Sequence, residues 1–171
     1  MFHPSVYDNL KVVLEGAVYD ADFEEKIIIT GREDLLDMAS AARKYKVSFS
    51  LKNGSHDMTG YVSISSSLED LYQEKINDLP EKAGCSFEYG LTLSVMDIDE
   101  DCLSIQHILA PVYGLDAHVQ QDLLYQFGKP RGSYENRVRI AYNQPMCEND
   151  IPFLEESLPI FIKVMAEIQK R

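Results

Sequence analysis

The sequence predicts an α+β protein, a single two-layer domain spanning residues 1–171. It should contain a mainly antiparallel sheet of six to seven strands, helices on one face of that sheet, and a long kinked C-terminal helix. Several segments alternate between apolar and polar residues, as half-buried strands do. Short turns join many of these segments, which favours antiparallel pairing. A length of 171 residues with 45% hydrophobic content fits one globular domain.

Residues 86–110 are predicted to form a hairpin at the centre of the core, with the acidic segment 97–101 as its turn. Nine alternating residues would face the core: Phe87, Tyr89, Leu91, Leu93, Val95, Leu103, Ile105, His107 and Leu109. Burying the eight apolar members would contribute roughly 12–24 kcal/mol, an upper bound, at about 1.5–3 kcal/mol each. Because no other segment offers as much, we expect this hairpin to organise the fold.

The N-terminal part is predicted to begin with a strand at 10–19, on the alternation of Val12, Leu14 and Val18. A short buried strand at 27–29 and a helix from about 32 to 45 should follow. The helix is indicated by the Thr30-x-x-Glu33 capping pattern and by apolar residues at helical spacing.

A second group of elements is predicted between residues 47 and 80. Strands at 47–51 and around 62–64 flank an Asn-Gly turn signal at 53–54. The pattern Ser66-x-x-Glu69 should then open a helix that ends at Leu79-Pro80.

The C-terminal part is predicted to contain a helix at 118–127, a strand at 134–142 and a long final helix. Gly128 is placed where glycine ends many helices. Five apolar residues of the final helix recur at spacings of four and three: Leu154, Leu158, Phe161, Met165 and Ile168. Pro159 lies within this pattern, so we expect a kink or two abutting helices.

The net charge of −12 limits the classes of molecule that the protein can bind. It disfavours nucleic acids and anionic membranes, and it serves either solubility or a basic partner. Cys85, Cys102 and Cys147 are odd in number and widely spaced, so we expect reduced thiols in a cytoplasmic protein. The first ten residues show no signal-peptide pattern, and the longest charge-free apolar stretch is too short to span a membrane.

The candidate interaction surface is the polar face of the predicted sheet. Eight uncharged residues are expected to point away from the core there: Ser48, Ser50, Ser63, Ser65, Thr92, Ser94, Ser104 and Gln106. A solvated sheet face usually carries Lys, Glu and Arg. The face is therefore either an ordinary wet surface or one covered by a second protomer, a protein partner or a ligand.

A basic segment offers an alternative site. Lys129, Arg131, Arg137 and Arg139 stand close together in an acidic chain, opposed by Glu135 alone. Arginine forks and loop amides could bind a phosphate or a carboxylate. The loop at 128–133 lacks P-loop spacing, and pairing with the abundant acids would explain the same charges.

Two residues are candidates for chemistry, His107 and Cys147. We expect His107 to be a core histidine, although a general base is the alternative. Cys147 precedes the last helix, whose dipole would favour a thiolate, but Glu148 and Asp150 oppose it. The acidic segment 97–101 begins like a calcium loop and then departs from that pattern. We therefore predict no metal and no cofactor.

Three classes of function follow. The preferred one is a non-catalytic protein-binding or regulatory module that acts as a homodimer through the uncharged sheet face. The second is an anion-binding protein centred on Lys129, Arg131, Arg137 and Arg139. The third is an enzyme built around His107 or Cys147, which would require a pocket at one of them.

Overall fold

A computed structural model describes residues 5–55, 57–75, 84–130 and 132–171. A single 3₁₀ turn, Glu148–Asp150, precedes the last helix. The regular elements, in chain order, are α1 (Val6–Phe23), β1 (Ile27–Leu36), β2 (Arg43–Leu51), β3 (Met58–Ser66), α2 (Leu68–Lys75), β4 (Ser86–Val95), α3 (Ile98–Tyr113), β5 (Ala117–Leu124), β6 (Tyr134–Tyr142) and α4 (Ile151–Lys170).

The six strands form one sheet in the order β1-β2-β3-β4-β6-β5, and every neighbouring pair is antiparallel. Helices α1, α3 and α4 pack on one face of it. All the buried hydrophobic side chains of the strands point to that face. The predicted α+β class, with helices on one face and a long C-terminal helix, is thus confirmed.

Helix α4 is the centre of the helical layer. The five predicted apolar residues, Leu154 to Ile168, are all buried. Phe161 stacks on Tyr89 with 4.4 Å between ring centroids and meets the edge of Phe49 at 6.1 Å. Gly60 makes this approach possible, because a Cβ there would lie 2.6 Å from the Met165 sulfur. The helix is continuous through Pro159, so the alternative of two abutting helices is wrong.

The prediction of a central hairpin is correct for its first strand and wrong for its second. Its first strand is β4, and all five of its core residues are buried. Its second strand is instead helix α3, because the acidic segment is a helix start: Asp97 accepts hydrogen bonds from the N–H groups of Asp99 (3.1 Å) and Glu100 (2.9 Å). Ile105 and Leu109 are buried one helical turn apart. His107 is therefore exposed rather than in the core.

Two further predictions near the N-terminus are wrong. Residues 10–19 belong to α1, where Leu10, Leu14 and Val18 are buried at a spacing of four. Val12, which set the apparent strand alternation, is 68% exposed.

Residues 32–45 form the end of β1, a turn and the start of β2. Asp37 stabilises this turn by accepting hydrogen bonds from the Ala39 N–H (2.9 Å) and the Ser40 hydroxyl (2.7 Å). Of the apolar residues that suggested a helix, Leu35, Met38 and Ala39 are exposed, whereas Tyr45 is buried in the core from strand β2.

The segment 118–127 is also not a helix. Residues 117–124 pair along β6 as the edge strand β5. The Gln121 side chain on this strand donates a 3.0 Å hydrogen bond to the Cys102 carbonyl of α3. Phe127, placed on the predicted apolar stripe, is fully exposed. Long-range pairing here outweighs the local periodicity.

The segment 27–29 is a strand as predicted, but β1 is an edge strand of the sheet and Ile28 is exposed, so the prediction that this strand is buried was wrong. The remaining elements match their predictions. Strands β2, β3 and β6 contain the predicted segments. Helix α2 starts one residue later than expected, because the hydrogen bonds of the capping box join Ser67 and Asp70. Its predicted end at 79–80 lies outside the described residues.

Candidate functional site

The candidate site is the face of the sheet opposite the helices, called here the open face. Backbone alternation and strand register assign its members. They are Ile28, Gly31, Glu33 and Leu35 on β1; Lys44, Lys46, Ser48 and Ser50 on β2; Thr59, Tyr61, Ser63 and Ser65 on β3; Ser86, Glu88, Gly90, Thr92 and Ser94 on β4; Glu135, Arg137, Arg139 and Ala141 on β6; and His118, Gln120, Asp122 and Leu124 on β5.

A carboxylate stands at the centre of the open face. Glu88 accepts a 2.7 Å hydrogen bond from Nε of Arg139, and its side chain is 15% exposed. Nζ of Lys44 lies 3.5 Å from the same carboxylate, and the Tyr61 hydroxyl donates to it at 3.4 Å. Four strands, β2, β3, β4 and β6, are thereby joined by side chains across the open face.

Tyr61 lies flat against the backbone of the neighbouring strand. Gly90 stands directly opposite on β4 and leaves room for the ring. A Cβ at Gly90 would lie only 2.3 Å from a ring carbon of Tyr61. Nζ of Lys46 is 5.0 Å from the ring centroid, a cation–π distance. Burial, reinforced by the charge of Glu88, raises the pKa of Tyr61 to about 12.

The substitution Glu88→Gln is expected to lower the pKa of Tyr61 while leaving it above 10. The substitution removes the negative charge that raises this pKa, while the charge of Arg139, which lowers it, remains. Burial of the ring still keeps the pKa above its ordinary value. Carbon-13 NMR of labelled tyrosine during a pH titration would measure this. Glu33→Gln, which removes another acid from the open face, is the control. An unchanged pKa in Glu88→Gln would contradict the assigned role of Glu88.

The predicted hydroxyl residues are partly placed here. Six of the eight share the open face: Ser48, Ser50, Ser63, Ser65, Thr92 and Ser94. Ser63 is only 1% exposed and lies between its cross-strand partners Lys46 and Glu88. Ser104 and Gln106 are instead on helix α3, so their placement on a sheet face was wrong.

The open face is balanced in charge rather than uncharged. Four basic residues and four acidic residues lie on it: Lys44, Lys46, Arg137, Arg139, Glu33, Glu88, Asp122 and Glu135. The sequence interpretation missed them because it counted only selected outward positions. A signal was present: Glu88 is the one charged residue in the strand 86–95, and it is out of phase with the apolar residues.

The predicted anion site is largely paired within the chain. Arg137 binds Glu135 at 2.7 Å, and Arg139 binds Glu88. Lys129 and Arg137 border a cavity of about 310 Å³ at the end of the open face, together with Glu135 and Ser94. Arg131 lies outside the described residues. The cavity thus contains a carboxylate that would compete with any bound anion.

The two residues proposed for chemistry lie apart from this surface. His107 is exposed on α3, and Cys147 is half-buried just before α4. The backbone N–H of Cys147 donates to Asp150 at 2.8 Å. Within the described ranges, no three His, Cys, Asp or Glu side chains are grouped so as to hold a metal ion.

Sequence and structure comparisons identify no relative. The chain matches no family model, no curated protein and no solved structure. Among the helices described, none has both the length and the hydropathy to cross a membrane. The open face and its chemistry are therefore the basis on which a function is proposed.

Proposed function

We propose that the protein is a non-catalytic protein-binding module that self-associates through the open face. The observation that carries this proposal is a six-stranded sheet with helices α1, α3 and α4 on one side. On its other side no described helix covers the strands, and Arg139 pairs with Glu88 and Lys46 with Glu33. Sheet faces without a covering layer are common sites of protein association.

Charge favours a second copy as the occupant. Each chain has a net charge of −12, so two copies repel each other over most of their surfaces. On the open face the four basic and four acidic residues cancel. Two open faces related by a twofold axis therefore meet with little repulsion. Basic residues of one protomer can pair there with acidic residues of the other.

Size and composition support the same occupant. The six strands span roughly 24 Å across the sheet. With residues about 3.3 Å apart, they span roughly 27 Å along the strand direction. This footprint approaches the ~800 Å² per partner of a standard interface. Serine, threonine and glycine permit close approach, and Tyr61 is an aromatic residue of the kind that anchors interfaces.

The double substitution Ser48→Glu/Ser50→Glu is expected to convert a dimer into a monomer. Ser48 pairs with Tyr61 on β3, and Ser50 pairs with Ile28 on β1. The two new carboxylates therefore enter the open face of each protomer and add like charges on both sides of the interface. Sedimentation equilibrium should give twice the mass of one chain for the wild type and a single mass for the variant.

The matched control is Ser104→Glu/Gln106→Glu, which adds the same two charges on α3. It is expected to remain dimeric. A wild-type protein that sediments as a single chain at high micromolar concentration would refute self-association, as would a Ser48→Glu/Ser50→Glu variant that stays dimeric.

The compartment is also a proposal. Cys85, Cys102 and Cys147 are all free thiols, and Cys85 is buried. Burial raises the pKa of Cys85 to about 12, which keeps it protonated and unreactive. Free thiols suit the reducing cytoplasm.

A further inference from the structure

A groove runs along the outer side of the helical layer, away from the open face. It lies between residues 12–24, from α1 and its C-terminal cap, and residues 155–162 of α4, and encloses about 350 Å³. At about 1.5 Å per residue, the first side is about 18 Å long and the second about 10 Å. A third helix in the groove would therefore lie along about three turns of the first side and about two turns of α4.

The floor of the groove is made of small and apolar residues. Gly16, Ala17 and Ala21 line the α1 side, and Pro159 and Ile162 line the α4 side. Small residues at a helix surface let a neighbouring backbone approach closely.

Gly16 is the informative member of this floor. It lies in the middle of α1, where glycine is the least favourable residue apart from proline. A Cβ at this position would meet nothing within 4 Å. The described packing of the chain therefore gives no reason for glycine here, whereas an approaching partner would.

The rim of the groove is acidic. Asp20 and Glu24 stand on the α1 side, and Glu155 stands on the α4 side. Lys26 also lines the groove and is paired with Glu24 at 2.5 Å, so the acidic excess comes from Asp20 and Glu155. The carboxylates of Asp20 and Glu155 have no hydrogen-bond or ion-pair partner in the part of the chain described. Pro159 also has no N–H to donate to the Glu155 carbonyl, one helical turn before it.

We propose that this groove binds a cationic amphipathic helix of a partner protein. Apolar side chains at positions i, i+3, i+4 and i+7 of that helix would pack on the floor, and its lysines or arginines would pair with Asp20 and Glu155. A second copy of this acidic chain is the wrong occupant on charge. The binding is separate from self-association, because the open face lies on the other side of the domain.

The probe is a synthetic peptide of about 18 residues, a length at which helices form more readily. Leucine occupies one helical stripe and lysine the remaining positions. A peptide with the same composition and the leucines scattered is its control. Calorimetric titration should show binding of the amphipathic peptide that weakens as salt rises from about 0.05 to about 0.3 M.

Substitution Gly16→Leu is expected to weaken this binding by at least about tenfold, because the side chain fills the floor. Gly16→Ala should raise the Tm by about 2–4 °C, since alanine favours the helix and meets no obstacle. Asp20→Asn/Glu155→Gln should weaken binding about threefold or more. Glu100→Gln/Glu167→Gln, which removes two acids elsewhere, should have little effect.

Equal binding of both peptides would overturn the proposal, because attraction would then be charge alone. Wild-type affinity in Gly16→Leu, or no binding at millimolar peptide, would also overturn it. If Gly16→Leu fails to fold, Asp20→Asn/Glu155→Gln and the scattered peptide still decide. The monomeric Ser48→Glu/Ser50→Glu protein should bind the peptide like wild type, which separates this proposal from self-association.

Discussion

Replacing Phe161 by alanine is expected to lower the free energy of unfolding by about 3–5 kcal/mol. Its ring is completely buried between the helical layer and the sheet. It stacks on Tyr89, meets the edge of Phe49 and covers Gly60. Alanine would leave a cavity at the point where α4 meets three strands, and these contacts would be lost together.

Urea denaturation followed by circular dichroism would measure the loss. Phe127→Ala is the matched control, because that ring is 96% exposed and its removal should change stability by less than about 0.5 kcal/mol. Phe161→Leu should fall between the two. A Phe161→Ala variant as stable as Phe127→Ala would contradict the described core.

Raising the pH above about 10 is expected to unfold the protein cooperatively. Burial raises the pKa values of Tyr7, Tyr61 and Tyr142 to about 12, and that of the Cys85 thiol likewise to about 12. In an unfolded chain the same groups ionise near 10 and 9. The unfolded state therefore loses its protons first, and alkali favours it.

The contribution of these groups is fully present below their unfolded pKa values and is lost as the pH rises towards their folded values near 12. Each unit of pKa difference is worth about 1.4 kcal/mol. Several such groups together compare with the 5–15 kcal/mol that stabilises a typical domain.

Urea denaturation at intervals between pH 8 and pH 11 would test this. Tyr113→Phe should reduce the alkaline loss, because burial also raises the pKa of Tyr113. At neutral pH the same variant should be at least as stable as wild type, since the Tyr113 hydroxyl is buried without a hydrogen-bond partner among the described residues. Constant wild-type stability up to pH 11 would refute the prediction.

The architecture could be predicted where a strand is buried on one face only. In β4, Phe87 and Tyr89 alternate with polar neighbours because one face of the strand is buried and the other is not, and the prediction was correct. In α3 the same alternation arose by chance, because Leu103 and His107 are exposed on a helix. The acidic residues before it read equally well as a turn and as a helix start.

The candidate site was predicted only in part, for a related reason. Ser48 and Thr92 follow from alternation within their own strands. Contacts between strands do not, because the register that brings Lys44, Arg139 and Glu88 together depends on the order of the strands. Sequence periodicity reports which side of a strand faces the core, but not which strand lies next to it.

The position of β6 between β4 and β5 has a consequence for the order of folding. Strand β5 precedes β6 in the chain, yet β6 is the one described strand that pairs with it in the sheet. Strands β1 to β4 are successive neighbours, and β5 and β6 can likewise pair first as a local hairpin. Docking of β6 beside β4 then adds both strands to the sheet at once, and we expect this step to follow the formation of the hairpin and of the four-stranded meander.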